Sequence, residues 1–129
     1  MNPFRVIEIQ MIALKNNDKR NFGIKKAYCY ASLENRRYTG PFEKFKKMIH
    51  DSYSPLLNFD YWGIYDTPER YENSYIQDVY VVKNNVQYIY QFSLSKQKQY
   101  YDRFTKKKIK IDNWRTDSVI MKSKNPIGL

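Results

Sequence analysis

The chain holds one cysteine, Cys29, and one histidine, His50, in 129 residues. A lone cysteine excludes a disulfide framework and a multi-cysteine zinc site. A lone histidine argues against a transition-metal centre, so neither a metal nor a cofactor is expected. No apolar run approaches the roughly 18–20 residues that a membrane-spanning helix needs, which leaves only peripheral contact with a bilayer open. Helical patterning begins almost at Met1, so no signal or transit segment is expected either. Glycine (4), alanine (3), proline (5) and arginine (7) are scarce, and these are residues of G/C-rich codons. Together they number 19, against 63 residues of Phe, Tyr, Met, Ile, Asn and Lys, the A/T-rich set. Such a bias points to an A/T-rich genome of the kind organelles carry.

What is abundant is positive charge and aromatic rings. The net charge is +10 and the isoelectric point near 9.6, which suits an anionic or acidic partner. Codon bias accounts for part of the lysine excess, so the charge by itself does not establish polyanion binding.

Pro3 to Lys15 has the helical period, with Phe4, Ile7, Met11 and Leu14 on one side and Val6, Ile9 and Ile12 widening it. Asn16-Asn17-Asp18 is a stop and turn. A second helix is expected from Asn21 or Phe22 to about Ser32, then a polar connection over Glu34 to Tyr38. Thr39-Gly40-Pro41 is a helix start, because proline fits the first turn and its missing N–H costs nothing there. Phe42, Phe45, Met48 and Ile49 follow at helical spacing for about three turns, until Ser54-Pro55 ends the helix.

From there the period changes to two. Phe59 to Tyr65, Tyr75 to Lys83 and Val86 to Lys96 read as strands, the last two joined by Asn84-Asn85, since asparagine tolerates positive φ. Lys98 to Lys110 reads as a basic hairpin, Ile109 to Met121 as the last strand or pair of strands, and Lys122 to Leu129 as a short basic tail. About three helices followed by an antiparallel meander make a single α+β domain over residues 1–129, with its helices on one face of a curved sheet.

Several segments match a known family in order. They are Ala13-Leu14 with Asn16-Asn17-Asp18, Gly23-Ile24 with Ala27-Tyr28, Ala31-Ser32 with Asn35-Arg36, Thr39-Gly40-Pro41, and Phe45 with Met48. Tyr53 with Pro55 to Asn58, Phe92 with Leu94 to Gln97, and Trp114 with Thr116 to Val119 complete the set. Together they resemble the domain-of-unknown-function family 4864, most closely its cyanobacterial and chloroplast branch. That family is similar to the nuclear-transport-factor-2-like superfamily, so the resemblance implies a cone-shaped α+β fold and a plastid setting, with mitochondrion or cytoplasm as alternatives. It implies no activity. Two departures stand out: Leu33 replaces the family's usual proline, which would lengthen the second helix, and the segment 98–110 is longer and more basic than the pattern.

Enzymes of that superfamily use an acid inside the cone with a tyrosine or second acid as hydrogen-bond donor. Asp117 is the candidate base, with Tyr90 and His50 as further candidates. The competing readings are a structural ion pair of Asp117 with Arg36 or Arg115, and a helix-end position for His50. Tyr28, Trp62, Tyr88, Tyr90 and Trp114 either line a pocket or form plain core. Arg36 and Arg37 either bind an anion at a helix start or tie down a loop. Tyr100, Tyr101, Arg103, Lys106, Lys107, Lys108 and Lys110, with Phe104, mix rings and cations as single-stranded nucleic-acid surfaces do. No ribonucleoprotein signature accompanies them, and nucleic acid is the less favoured partner.

The leading expectation is a non-enzymatic accessory or assembly subunit of an organellar protein complex. A small-molecule binder or enzyme is the alternative, and an RNA- or ribosome-associated protein the second alternative; the oligomeric state is open. Neutralising Lys106, Lys107, Lys108 and Lys110 should weaken association with native partners and leave the fold intact, as co-purification and circular dichroism would register. Unchanged co-purification would count against the hairpin as the contact surface.

Overall fold

The computed structural model of the chain describes residues 2–97, 100–102, 107–109 and 113–127, with side chains described for 2–97 and 113–127. Four α-helices come first: α1 Pro3–Lys15, α2 Phe22–Cys29, α3 Leu33–Thr39 and α4 Phe42–Ser52, the last followed by a 3₁₀ turn over Ser54–Leu56. The strands are β1 Tyr61–Ile64, β2 Glu69–Arg70, β3 Ser74–Lys83, β4 Val86–Lys96, β5 Tyr100–Asp102, β6 Lys107–Ile109 and β7 Trp114–Pro126. An antiparallel five-stranded sheet runs in the order β1-β3-β4-β7, with β2 also paired to β3. The fold is α+β.

α1 starts where the sequence pattern puts it. Asn2 Oδ1 accepts the Phe4 amide at 3.0 Å, and Pro3 occupies the first turn. Val6, Ile7, Met11 and Leu14 are buried beneath it in one cluster with Val79, Val81, Tyr90, Phe92 and Leu94 of the sheet. Gly23 marks the crossing of α1 and α2, since a Cβ there would lie 2.1 Å from the Ala13 carbonyl oxygen. On α4, Phe45 and Ile49 are buried, and Phe42 packs edge-on against Tyr28 at 5.6 Å between ring centroids.

Two boundaries differ from the sequence reading. The second helix does not reach Ser32 but ends at Cys29, and Glu34 to Tyr38 is not a connection but part of α3. The cause is a parallel bridge between Ala31 and Thr116. Thr116 N donates to Tyr30 O at 2.9 Å and Ser32 N to Thr116 O at 2.8 Å, which pulls this stretch out of the helix. Ser32 Oγ then accepts the Asn35 amide at 3.1 Å and caps a new helix.

The C-terminal segment is the second correction. Lys122 to Pro126 is strand and not tail, because β4 needs a partner along its whole length: Tyr88 faces Lys124, Gln87 faces Asn125 and Val86 faces Pro126. β7 begins at Trp114, and Ile109 belongs instead to β6, which among the described residues pairs with β5 alone. The register skips one residue of β7 at Asp117 and again at Lys122, so both sit on bulges. Lys122 Nζ donates to Asp78 Oδ2 at 2.9 Å and holds the second bulge to the neighbouring sheet surface. Asn84 and Asn85 turn β3 into β4 with φ of 51° and 63°, as the Asn-Asn pair predicts.

Gly23→Ala should therefore destabilise the domain by about 1–3 kcal/mol, because the added methyl meets backbone and not a yielding side chain. Urea denaturation of the variant against the parent measures it. An unchanged midpoint would mean that the two helices are not locked at this crossing.

Candidate functional site

Helices α1 to α4 and strand β7 leave a cleft of about 590 Å³ between them. α1 supplies Gln10 and Leu14, α2 Ala27, α3 Glu34, Asn35 and Tyr38, and α4 Phe45, Met48 and Ile49; Thr116 to Ile120 of β7 close the far side. Ala31, Thr39, Phe92 of β4, and Tyr53 and Leu56 after α4 complete the described lining.

The polar floor is fully satisfied. Gln10, almost buried, donates through Nε2 to Ala27 O at 3.0 Å and accepts from Thr116 Oγ1 at 2.6 Å. That one amide ties α1, α2 and β7 together. Asn35 Nδ2 adds a hydrogen bond to Thr116 O at 3.1 Å. On the other wall the Tyr53 hydroxyl donates to Val119 O at 2.8 Å, and burial raises its pKa. These bonds bracket the bulge at Asp117, so β7 is held on both sides of it.

Charge around the opening has one sign. Among the described residues, Glu34 and Asp117 are the only charged ones lining the cleft, in a chain whose net charge is +10. Among the described residues neither carboxylate has a hydrogen bond or ion pair. The expected pairing of Asp117 with an arginine is absent because both arginines are used elsewhere. Arg36 donates to Tyr28 O at 3.0 Å and Cys29 O at 3.1 Å, and its guanidinium lies 4.6 Å from the Tyr28 ring centroid. Arg115 also donates to Cys29 O. Two cations thus collect at the carbonyl end of α2, where a helix attracts positive charge. Arg36 ties the α2–α3 loop, and Arg37 is exposed on α3.

The five aromatic candidates stand outside this lining. Tyr28 packs on Phe42 and Phe45, Trp62 stacks on Phe4 at 6.3 Å, Tyr88 lies under Lys124, and Trp114 and Tyr90 are core. Alternation along a strand gives the face but not whether a helix covers it, and these rings are covered or stacked. The Tyr90 hydroxyl is buried, makes no hydrogen bond among the described residues and titrates well above the ordinary tyrosine range, chiefly through burial. His50 lies in the last turn of α4, exposed, with Nε2 2.8 Å from Asn21 Oδ1. It does not line the cleft.

Tyr100, Tyr101, Lys107 and Lys108 lie in the backbone pairing of β5 with β6, and their side chains are outside the described residues. Arg103, Phe104, Lys106 and Lys110 lie outside them entirely. The sequence reading missed Gln10 and the α3–α4 lining. Gln10 did leave a signal, as a polar residue inside the apolar stripe of Ile7, Met11 and Leu14.

A family model for the domain of unknown function DUF4864 matches residues 4–127. The chain belongs to that family. No curated protein and no solved structure matches it. Among the described residues of this DUF4864 domain, no group of three or more His, Cys, Asp or Glu side chains is placed to hold a metal ion, and no helix is long and apolar enough to cross a membrane.

Tyr90→Phe should leave stability unchanged or raise it by about 1 kcal/mol near neutral pH, because it removes a buried hydroxyl that bonds to nothing. The raised pKa fixes the sign at high pH. The unfolded chain releases the Tyr90 proton near pH 10 and the folded one later, so stability is intact below that pH and falls as pH rises above it. Denaturation of parent and variant at pH 8 and pH 11 tests this, and the variant should lose less at the higher pH.

Proposed function

We propose that the chain is a non-enzymatic interaction domain of the cone-shaped nuclear-transport-factor-2-like kind. On this reading it is an accessory or assembly subunit of a plastid protein complex, from the cyanobacterial and chloroplast branch of its family. Its cleft receives an apolar, cation-bearing segment of a partner subunit. The observation that carries the proposal is the cleft itself: apolar walls, a sealed polar floor and, among the described residues, two unpaired carboxylates as its only charges. A cavity of this size accepts two or three side chains or one small ligand. A lysine or arginine among the entering groups would find Glu34 and Asp117 without a competing cation in the lining. Helices gathered on one face of an antiparallel sheet support the cone reading, and the A/T-rich residue bias supports the organellar one.

Catalysis is the second reading, because Asp117 stands on a bulge, where strands commonly re-aim a functional side chain. There it would act as a base on a small molecule held by the apolar walls. Nucleic-acid binding remains a weaker proposal resting on the basic hairpin.

Asp117→Lys separates these readings. Recovery of partner subunits by affinity purification from the native source should drop about fivefold or more, with the circular-dichroism spectrum unchanged. Undiminished recovery would overturn the cleft as the partner site. A small molecule retained by the parent protein in native mass spectrometry, and lost in the variant, would favour the ligand-binding alternative.

A further inference from the structure

A second surface lies on the outer side of the α1–α2 pair, away from the cleft lining. Ile9, Ile12 and Phe22, with Ala13 and Gly23, line a shallow groove of about 300 Å³. Ile12 is 47% exposed and Phe22 55% exposed, on helices whose other apolar residues are mostly buried.

The exposure of Phe22 is enforced. Asp18 Oδ1 accepts the amides of Arg20 and Phe22, each at 3.1 Å, and Asn17 Oδ1 accepts that of Ile24 at 3.1 Å. Asn58 Nδ2 grips the Lys15 and Asn17 carbonyls at 2.9 Å each. Asn21, with φ of 60°, is held by His50. The turn is pinned from both sides, and it sets the Phe22 ring outward at the first position of α2.

Around that ring the charge is positive. Lys25 and Lys26 follow Phe22 by three and four residues and so share its side of α2, while Lys19 and Arg20 come from the turn before it. All four are exposed, and among the described residues none has a carboxylate partner. Asp18 is occupied with backbone amides, and Glu8 is paired with Arg5.

We infer that this face docks on the surface of an anionic lipid bilayer, with Phe22 and Ile12 entering the headgroup boundary and Lys19, Arg20, Lys25 and Lys26 contacting acidic headgroups. Charge complementarity selects the occupant. An apolar wedge ringed by unpaired cations matches a surface that is negative outside and apolar beneath. An acidic protein or a nucleic acid would use the cations but gives a rigidly presented, water-facing phenylalanine no partner of comparable depth.

Co-sedimentation of the full chain with phosphatidylglycerol–phosphatidylcholine vesicles, against phosphatidylcholine alone, tests this. Binding should require the anionic lipid. Phe22→Ser should weaken it about tenfold, and Lys25→Glu with Lys26→Glu about fivefold per charge or more. Phe22→Trp should bind like the parent, with indole fluorescence shifted to the blue and quenched by brominated lipid. Circular dichroism controls for the fold, and Lys107→Glu with Lys108→Glu controls for attraction by the hairpin. Absence of binding, equal binding to neutral vesicles, a Phe22→Ser variant that binds like the parent, or a tryptophan that stays in water would each overturn the inference. So would a greater loss with the hairpin control than with Lys25 and Lys26.

Discussion

Thr116 holds the molecule together at the point where helices meet sheet. Its amide and carbonyl bridge to Tyr30 and Ser32, its hydroxyl donates to Gln10, and Asn35 adds a further bond to the same carbonyl. One such bond contributes about 0.5–1.5 kcal/mol net, but a buried amide or hydroxyl left without a partner costs about 1–3 kcal/mol. The constraint is consequently mutual: β7 cannot shift along the helices without stranding several polar groups together. That is why α2 stops where it does, why α3 exists, and why a gap persists between α3 and the bulge after Thr116.

The distribution of charge follows from the same arrangement. Arginines that could have paired with Asp117 are committed to the carbonyl end of α2, so among the described residues the carboxylates at the cleft have no ion-pair partner. Across the molecule, Lys19, Arg20, Lys25 and Lys26 have no carboxylate partner among the described residues, and Asp18 in the same turn is bonded to backbone amides. Among the described residues, a strongly basic chain thus presents two carboxylates at the cleft and four cations at the outer side of α1 and α2.

Local chemistry made part of this readable. Asn2-Pro3, the Asn84-Asn85 turn, the period of α4 and the alternation of β3 and β4 each depend on neighbours in sequence, and each lies where the pattern puts it. The break at Tyr30 does not, since Ile24, Ala27, Tyr28 and Ala31 continue a helical stripe that only residue 116 interrupts. Ser32 with Asn35 was a legible cap, but the stripe concealed it. The cleft was harder still. Tyr90 and Phe92 share a face of β4, yet of the two Phe92 alone lines the cavity, while the Tyr90 ring lies against Tyr53, a residue 37 positions earlier in the chain. Asp117 was picked out from its place on the last strand, while the skip in register that displaces it depends on how β4 and β7 pair along their whole length.

The bond between Gln10 and Thr116 spans 106 positions of the chain. At about 5–20 residues per second, synthesis separates the appearance of those two residues by roughly 5–20 seconds. During that interval α1 can already reach the β3 and β4 residues of its core, but Gln10 has no Thr116 hydroxyl to accept from. The tie that joins α1 and α2 to β7 therefore closes only after β3 and β4 have been made.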